Sequence, residues 1–557
     1  MMIDLRIGVF VCCCGINISA YVDVPAVIEY AKTLPGVVYA EEDIYACSND
    51  GLTKIKKAIK KHKLNRVVVA GCTPRTHESL FQEALEEAGV NKYLFEMANI
   101  RDQCSWVHMK EPKKATEKAK DLIRMAAAKT MLLEPGDEPE IEIKQSTLVI
   151  GGGVSGVCAA ISLADQGFNV IIVEKEPQLG GKMRNFDSLF PHRQKVSEML
   201  ESLLQKIQTN PRIQVMTGGK IKSVSGFLGN FTIEVETRTG TESLNVGTII
   251  VAVGADILKP KGLYLYGEDK RVITQSELEE ILRAGSVDAN RIVMIQCVGS
   301  RSAERPYCSR ICCNEAVKNA INLTQQDKEV YILYRDLQAY GITYSRLEQE
   351  AKQNGVRFLK YQQERPPKVT AETDGLRINL YSPTVNQDVE VKADLLVLST
   401  PLIPVTDARE LSQMLKVPLD SNGFFREAHV KLRPLDFATD GIYVCGTAHS
   451  PKDVGESVAQ ALGVASRAAI QMAKKRVRIA AIMSEVDQTK CSGCGICIDV
   501  CAYNAIRKNE KGLAETIAAA CKGCGVCGAT CPEKAITMHH FTDEQIEAQG
   551  LAALMEE

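Results

Sequence analysis

Twenty cysteines stand in this chain of 557 residues, and most of them are grouped. The tightest group is written twice: CSGCGICIDVC puts cysteines at 491, 494, 497 and 501, and CKGCGVCGATCP puts them at 521, 524, 527 and 531. Thiolates at this spacing can wrap one corner of an iron–sulfur cubane, while glycines let the backbone pass close to its sulfides. Where such runs come in pairs, the fourth cysteine of each ligates the other cluster. On that pattern Cys491, Cys494, Cys497 and Cys531 hold one [4Fe–4S] cluster, and Cys521, Cys524, Cys527 and Cys501 hold a second. Close-set cysteines also suit zinc, but the doubled C-x2-C-x2-C-x3-C spacing favours clusters.

Two looser groups follow the same logic. In RIVMIQCVGSRSAERPYCSRICC, Cys297 ends a β-like run, and Cys312 and Cys313 open the helical NEAVKNAINL. Adjacent cysteines cannot both point into one core, so Cys297, Cys308, Cys312 and Cys313 read as a further cluster, with zinc or a reactive thiol group as alternatives. Near the start, Cys12, Cys13 and Cys14 follow a first strand, Cys47 a second, Cys72 a third and Cys104 a fourth. Strand C-terminal ends gather on one edge of a parallel sheet, where such folds place ligands. Cys47, Cys72 and Cys104, with Cys14 preferred to Cys12 because it adjoins Gly15, are the expected ligands of a fourth cluster. The bland alternative is ordinary buried cysteine. Four clusters use 16 of the 20 cysteines and leave Cys12, Cys13, Cys158 and Cys445.

A different chemistry lies in TLVIGGGVSGVCAAISLADQGFNVIIVEKE, a strand, glycine turn, helix and second strand ending in an acid. Gly151, Gly153 and Gly156 form G-x-G-x-x-G, and Glu174 stands ~20 residues on, placed for ribose hydroxyls while the turn meets a pyrophosphate. Downstream EKEPQLGGK, TIIVAVGAD and GIYVCGTAHS, in that order, resemble the FAD segments of two-dinucleotide flavoprotein reductases. The cofactor contacts so implied are Gly151, Gly152, Gly153, Ser155, Gly156, Glu174, Lys175, Gly181, Lys182, Ala252, Val253, Gly254, Gly446 and Thr447. Thr447 stands where that family commonly has aspartate. GGKMRNFDSLF lacks the redox cysteine pair of the disulfide reductases, and no second glycine fingerprint follows RIVMI, which counts against an NAD(P)H site.

The elements that position these groups form an α/β chain. Residues 1–133 alternate strands (Arg6–Val11, Val37–Ala40, Val67–Ala70, Tyr93–Phe95) with helices (Gly51–His62, His77–Ala88, and one near Pro112–Leu133), as a parallel α/β domain does. A linker over 134–146 precedes a thioredoxin-reductase-like FAD domain over 147–475. An α+β two-cluster ferredoxin domain over 486–540 and a helical tail over 541–557 complete the chain. The tail helix packs on its own domain or docks a partner. The lysines between 54 and 63 read as the solvated face of a helix. Net charge is −2, which argues against nucleic acid. No apolar run reaches the ~18 residues of a membrane span, and no signal peptide is expected. So many cysteines in a reducing cytoplasm point to metal or redox chemistry rather than disulfides.

Together, VCCCGINIS, VVVAGCTPRTHE, NIRDQCSWVH, QCVGSRSAERPYCSRICC and the tandem motif resemble the A-type subunit of heterodisulfide reductase over nearly the full length. The form is one without the additional ferredoxin insert of larger members, since no cysteine run lies between Gly181 and Cys297. The resemblance implies an oxidoreductase subunit that passes electrons between FAD and [4Fe–4S] clusters. It further implies B-like and C-like subunits, a donor such as a hydrogenase or formate dehydrogenase, flavin-based bifurcation in some members with ferredoxin as an acceptor, and room for a homodimer. The competing readings are a self-contained NAD(P)H:ferredoxin-type oxidoreductase and an electron-wiring subunit with structural flavin. No catalytic side chain is assigned.

Overall fold

The computed structural model describes residues 4–555. The chain forms two units, one of residues to Glu140 together with those from Arg478, the other of Ile141–Val477. In the first, parallel strands β1 (Ile7–Cys12), β2 (Val37–Asp43), β3 (Arg66–Gly71) and β4 (Phe95–Asn99) lie in the order β2-β1-β3-β4. β1 and β3 are buried along their whole length, because helices cover both faces of the sheet. Val9 and Val11 face α1 (Val24–Ala31) and α4 (Pro112–Met131), whereas Phe10, Val67 and Val69 face α2 (Asn49–His62) and α3 (Pro74–Ala88). α2 buries Leu52, Ile55, Ala58 and Ile59, so its lysine-rich face is the outer one.

β4 runs from Phe95 rather than over Tyr93–Phe95. Its polar residues hide it from a hydrophobic pattern: Glu96 is tolerated because Lys129 of α4, 1% exposed, pairs with it at 2.8 Å.

The second unit holds two nucleotide-fold lobes. β5 (Ser146–Ile150), α5 (Val154–Asp165), β6 (Asn169–Glu174), β7 (Ile213–Thr217) and β8 (Thr248–Val251) begin the first, with β7, β6, β5 and β8 adjacent in that order and parallel. The second lobe comprises β9 (Val272–Thr274), β10 (Arg291–Ile295), α6 (Cys312–Thr324), β11 (Glu329–Tyr334), β12 (Arg357–Lys360) and β13 (Leu395–Leu398). Its parallel sheet runs β9-β13-β10-β11-β12. Each lobe carries a three-stranded antiparallel meander, and Ala255–Ile257 pairs with Leu402–Pro404 where the chain passes between lobes. The chain then returns to the first lobe as β14 (Ile442–Val444), beside β8, and α7 (Val454–Ala473), which packs with α5 in one core.

The C-terminal segment of the first unit holds two small antiparallel pairs, Ser484–Val486 with Ile536–Met538 and, between them in sequence, the hairpin of Ile506–Lys508 with Ala514–Thr516. Its last helix, α8 (Asp543–Leu554), lies on α4: Arg124 Nε donates to Ala552 O at 2.6 Å and Gln545 Nε2 to Leu132 O at 3.0 Å. Among the described residues, no helix is long and apolar enough to cross a membrane.

Candidate functional site

The glycine turn between β5 and α5 opens onto a cleft of about 1910 Å³. The turn can be that tight only with glycine: a Cβ on Gly156 would fall 1.9 Å from Gly151 O, and Gly151 itself has φ +105°. Gly151, Gly153, Ser155, Glu174, Lys175, Gly181, Lys182, Ala252, Val253, Gly254 and Thr447 all line the cleft. Gly152, Gly156 and Gly446 stand behind that wall, where they set the backbone. Glu174 is buried, its Oε2 accepting from Gly152 N at 2.6 Å and its Oε1 from Glu176 N at 2.9 Å. Each carboxylate oxygen keeps a further lone pair for a ribose hydroxyl. A helix N-terminus at one end and basic Lys175, Lys182 and Lys452 along the wall suit a diphosphate. The residues therefore fit FAD.

One helix connects this cleft to the middle cysteines. Cys297 follows β10 with φ 63°, and Cys312 and Cys313 are the first two residues of α6. The charges of Cys297, Cys308 and Cys313 all bear on Cys312, so the structure brings the four together. Burial pushes the Cys312 and Cys313 thiols up, Cys313 to about 12. Such thiols ionise together only around a cation, as metal coordination supplies, and the helix N-terminus favours the negative charge that results. Arg310 N donates to Cys308 Sγ at 3.3 Å.

Farther along α6, Glu315 and Lys318 reach the cleft wall. Lys318, 1% exposed, pairs with the wholly buried Glu279, and its Nζ also donates to Ser188 O at 2.8 Å. Glu279 Oε2 accepts from Asp187 N at 2.9 Å. Burial, reinforced by the Glu279 charge, pushes Glu315 up to about 7. Sequence reasoning missed this trio, because a Lys and two Glu on helices read as surface residues. The one available signal was that Glu315 and Lys318 share a helix with the cysteines.

The tandem module repeats its backbone with its sequence. Gly493 and Gly523, Gly495 and Gly525, and Asn504 and Lys534 all take positive φ at matching places. Cys501 Sγ accepts from Ala505 N at 3.2 Å, and Cys531 Sγ from Ala535 N at 3.3 Å. A space of about 340 Å³ is lined by Cys491, Cys494 and Cys497 together with Cys531, the fourth cysteine of the other run. Cys521 Sγ accepts from Ser484 N at 3.5 Å, and the charges of Cys521 and Cys524 bear on Cys527.

At the sheet edge of the first unit, Cys12, Cys14, Cys47 and Cys72 are brought together: the charges of Cys14 and Cys47 bear on both Cys12 and Cys72. Cys14 turns inward through a left-handed conformation, φ 43°. Cys104, expected among these ligands, is not brought to them. Its charge is not among those that bear on Cys12 or Cys72, and it is wholly buried in the α1–α4 core, which Cys14 also touches, whereas Cys12 and Cys47 pack on the α2–α3 side. The strand alternation puts Cys12 on the latter face, and a wide helical turn over Arg101–Ser105 carries Cys104 to the former. Cys13 instead faces the charges of Glu42 and Asp43.

Two of these regions match known family models. Residues 147–224 match the FAD dependent oxidoreductase family and residues 465–538 the 4Fe-4S dicluster domain. The second iron-sulfur A-type subunit of CoB--CoM heterodisulfide reductase from Methanopyrus kandleri is 39% identical, covering 91% of this chain and 92% of its own length. The A-type subunit of H(2):CoB-CoM heterodisulfide,ferredoxin reductase from Methanothermobacter thermautotrophicus is 38% identical over 100% of this chain and 98% of its own. The latter alignment spans 652 positions, so that relative carries segments this 557-residue chain lacks. Among solved structures, T. acidophilum thioredoxin reductase is 18% identical, with TM-score 0.42 over 59% of this chain and 99% of that one. The chain is an FAD and iron–sulfur oxidoreductase, and it belongs to the family of heterodisulfide reductase A-type subunits.

Proposed function

We propose that the chain is the electron hub of a heterodisulfide-reductase-like complex, taking electrons into FAD from a donor subunit, then distributing them to four [4Fe–4S] clusters. The observation that carries this reading is α6, which begins with Cys312 and Cys313 and then lines the flavin cleft with Glu315 and Lys318. A cluster and a flavin held by one rigid helix are placed to exchange electrons. FAD takes electrons in pairs and releases them singly, and each cluster carries one at a time.

The chain's own residues supply the rest. The Gly151–Gly156 turn would seat the diphosphate of FAD, and Glu174 would accept from its ribose. Phe186, Leu189, Phe190 and Leu402 give the cleft apolar walls that exclude water. Lys318 Nζ stands at the wall, paired with Glu279. The proposed ligand sets are Cys12, Cys14, Cys47 and Cys72; Cys297, Cys308, Cys312 and Cys313; Cys491, Cys494, Cys497 and Cys531; and Cys521, Cys524, Cys527 and Cys501. The pocket that Cys531 shares with Cys491, Cys494 and Cys497 supports the exchange of the fourth cysteine for the third of these sets.

Partners follow from relatives. One is named for H2 and another, from Methanococcus maripaludis, for H2 or formate, each with both a heterodisulfide and ferredoxin. Those names support a hydrogenase- or formate-dehydrogenase-type donor, B-like and C-like subunits, and division of each electron pair between two acceptors. A cytoplasmic address suits a chain whose cysteines serve clusters and not disulfides.

Iron, sulfide and FAD content of anaerobically purified protein, with EPR of the reduced sample, tests the reading. About 16 iron atoms and one FAD per chain are expected, and about eight iron atoms would leave only the tandem module. Rapid flavin bleaching by NADH or NADPH without any partner would favour a self-contained NAD(P)H oxidoreductase instead.

A further inference from the structure

Beyond Cys297 the chain runs through a strained loop. Cys297 (φ 63°), Gly299 (φ 74°) and Arg301 (φ 53°) all take left-handed backbone conformations, two of them on non-glycine residues. Arg335, buried at the end of β11, clamps this loop: its guanidinium donates to Ser300 O at 2.8 Å, to Arg301 O at 3.3 Å and to Gln363 Oε1 at 2.8 Å. The clamp fixes where Arg301 points. Arg301 Nη2 donates to Asp336 Oδ2 at 2.9 Å on the outer side. On the inner side Cys313 Sγ donates to Asp336 O at 3.9 Å, so the guanidinium that pairs with Asp336 stands beside that thiol, and its charge interacts with both Cys297 and Cys313. Arg301 Nη1 is buried with no hydrogen-bond partner in the protein. A buried guanidinium N–H without a protein partner, on a side chain whose charge bears on Cys297 and Cys313, suits an acceptor that is itself anionic and sulfur-rich.

We propose that Arg301 sets the reduction potential of the cluster held by Cys297, Cys308, Cys312 and Cys313, raising it by fixing a positive charge at the Cys297 and Cys313 sulfurs. Reduction adds one electron to a centre already made negative by four thiolates, so a fixed cation stabilises the reduced state more than the oxidised one. No bond forms or breaks and no proton is needed, because the guanidinium stays charged throughout. The tandem module is built differently: Cys491, Cys501 and Cys531 accept from the backbone N–H groups of Ala514, Ala505 and Ala535, which are dipoles and not charges. Arg301 thereby makes the cluster on the flavin helix the favoured first stop for an electron leaving the cleft. Asp336, half exposed and also 3.6 Å from Lys360, opposes the effect by partly neutralising Arg301 from outside.

The inference rests on the reading that these four cysteines hold a cluster, and the test separates the two. Potentiometric EPR titration of the full-length holoprotein is compared for wild type, Arg301→Gln, Arg301→Lys and Asp336→Asn, with iron counted in each. Arg301→Gln should lower the midpoint of one cluster and leave the tandem signals unmoved, and Arg301→Lys should restore most of the shift. Asp336→Asn, at an exposed side chain, should move the same midpoint the other way. An unmoved midpoint in Arg301→Gln with full iron overturns the inference, as does a downward shift in Asp336→Asn. If Arg301→Gln loses iron, the sign of the Asp336→Asn shift decides. A Cys308→Ser variant that keeps all the wild-type iron would instead sink the cluster reading beneath it.

Discussion

The Cys104 thiol donates to the Ala115 carbonyl at 2.9 Å, and this contact ties the turn after β4 to the first residues of α4. A sulfur committed to that carbonyl, wholly buried among Ile18, Ala115 and Ala119, is structural. Its replacement by alanine should keep the full iron content and cost roughly 1–2 kcal/mol of stability. Serine at Cys12, Cys14, Cys47 or Cys72 should each remove about four iron atoms per chain. Iron analysis of the five variants checks both halves, and iron loss in Cys104→Ala would return Cys104 to the ligand set.

Gly156 offers a test of the flavin turn that leaves the cysteines untouched. With a Cβ set 1.9 Å from Gly151 O, Gly156→Ala forces α5 away from β5. Overpacking of this kind costs ~1–3 kcal/mol, which is about 10–100-fold in FAD affinity if the strain falls on the bound turn. FAD retained after gel filtration should fall while iron in the tandem module stays constant. Full FAD retention would mean that the turn has slack the structure does not show.

What could be read from the sequence followed the range over which each feature is specified. The tandem motif is local: its cysteines and its left-handed glycines lie within a few residues of one another, so spacing alone placed them. The strand ends carrying Cys12, Cys47 and Cys72 were equally legible, because β1 and β3 are uninterrupted apolar runs. Which face of the sheet each thiol takes was not legible. It depends on strand parity at Cys12 and on a wide helical turn at Cys104, and a count of strand ends contains neither. β4 was misplaced because Glu96 looks like a loop residue until Lys129, contributed by α4, is set beside it. The Lys318–Glu279 pair was invisible for the same reason, since only the folded lobe joins residues so far apart.

That pair predicts an asymmetry between single and double variants. Lys318→Met leaves the Glu279 carboxylate buried without its cation, and breaking a buried pair from one side costs ~3–5 kcal/mol. The bond from Lys318 Nζ to Ser188 O would be lost and only Asp187 N would still be held by Glu279, so this segment would loosen at the cleft wall. Lys318→Met should therefore lower the thermal midpoint and speed FAD loss. Lys318→Met with Glu279→Leu should recover most of the stability. A single variant as stable as wild type would show that the pair is not held as the geometry describes.

Lys452 gives the pH dependence. Its Nζ donates to Gly446 O at 2.8 Å and Ser450 O at 2.7 Å, and burial pulls its ammonium down from 10.5 to about 8, with Glu456 opposing. Below about pH 8 the folded chain therefore holds this charge in the cleft wall; above it, the charge is lost, while the unfolded chain keeps its proton to the ordinary ammonium range. Two consequences have opposite signs. A lysine whose folded pKa is depressed costs stability below that pKa, so the cost fades as pH rises from about 8 towards 10.5. An anionic cofactor gains from the same charge, so FAD should bind more weakly as pH rises through about 8. Flavin fluorescence released from the full-length protein between pH 7 and 9 should therefore grow with pH in wild type. In Lys452→Met the release should already be raised at pH 7 and stay flat, and a wild-type slope in that variant would assign the titration to another group.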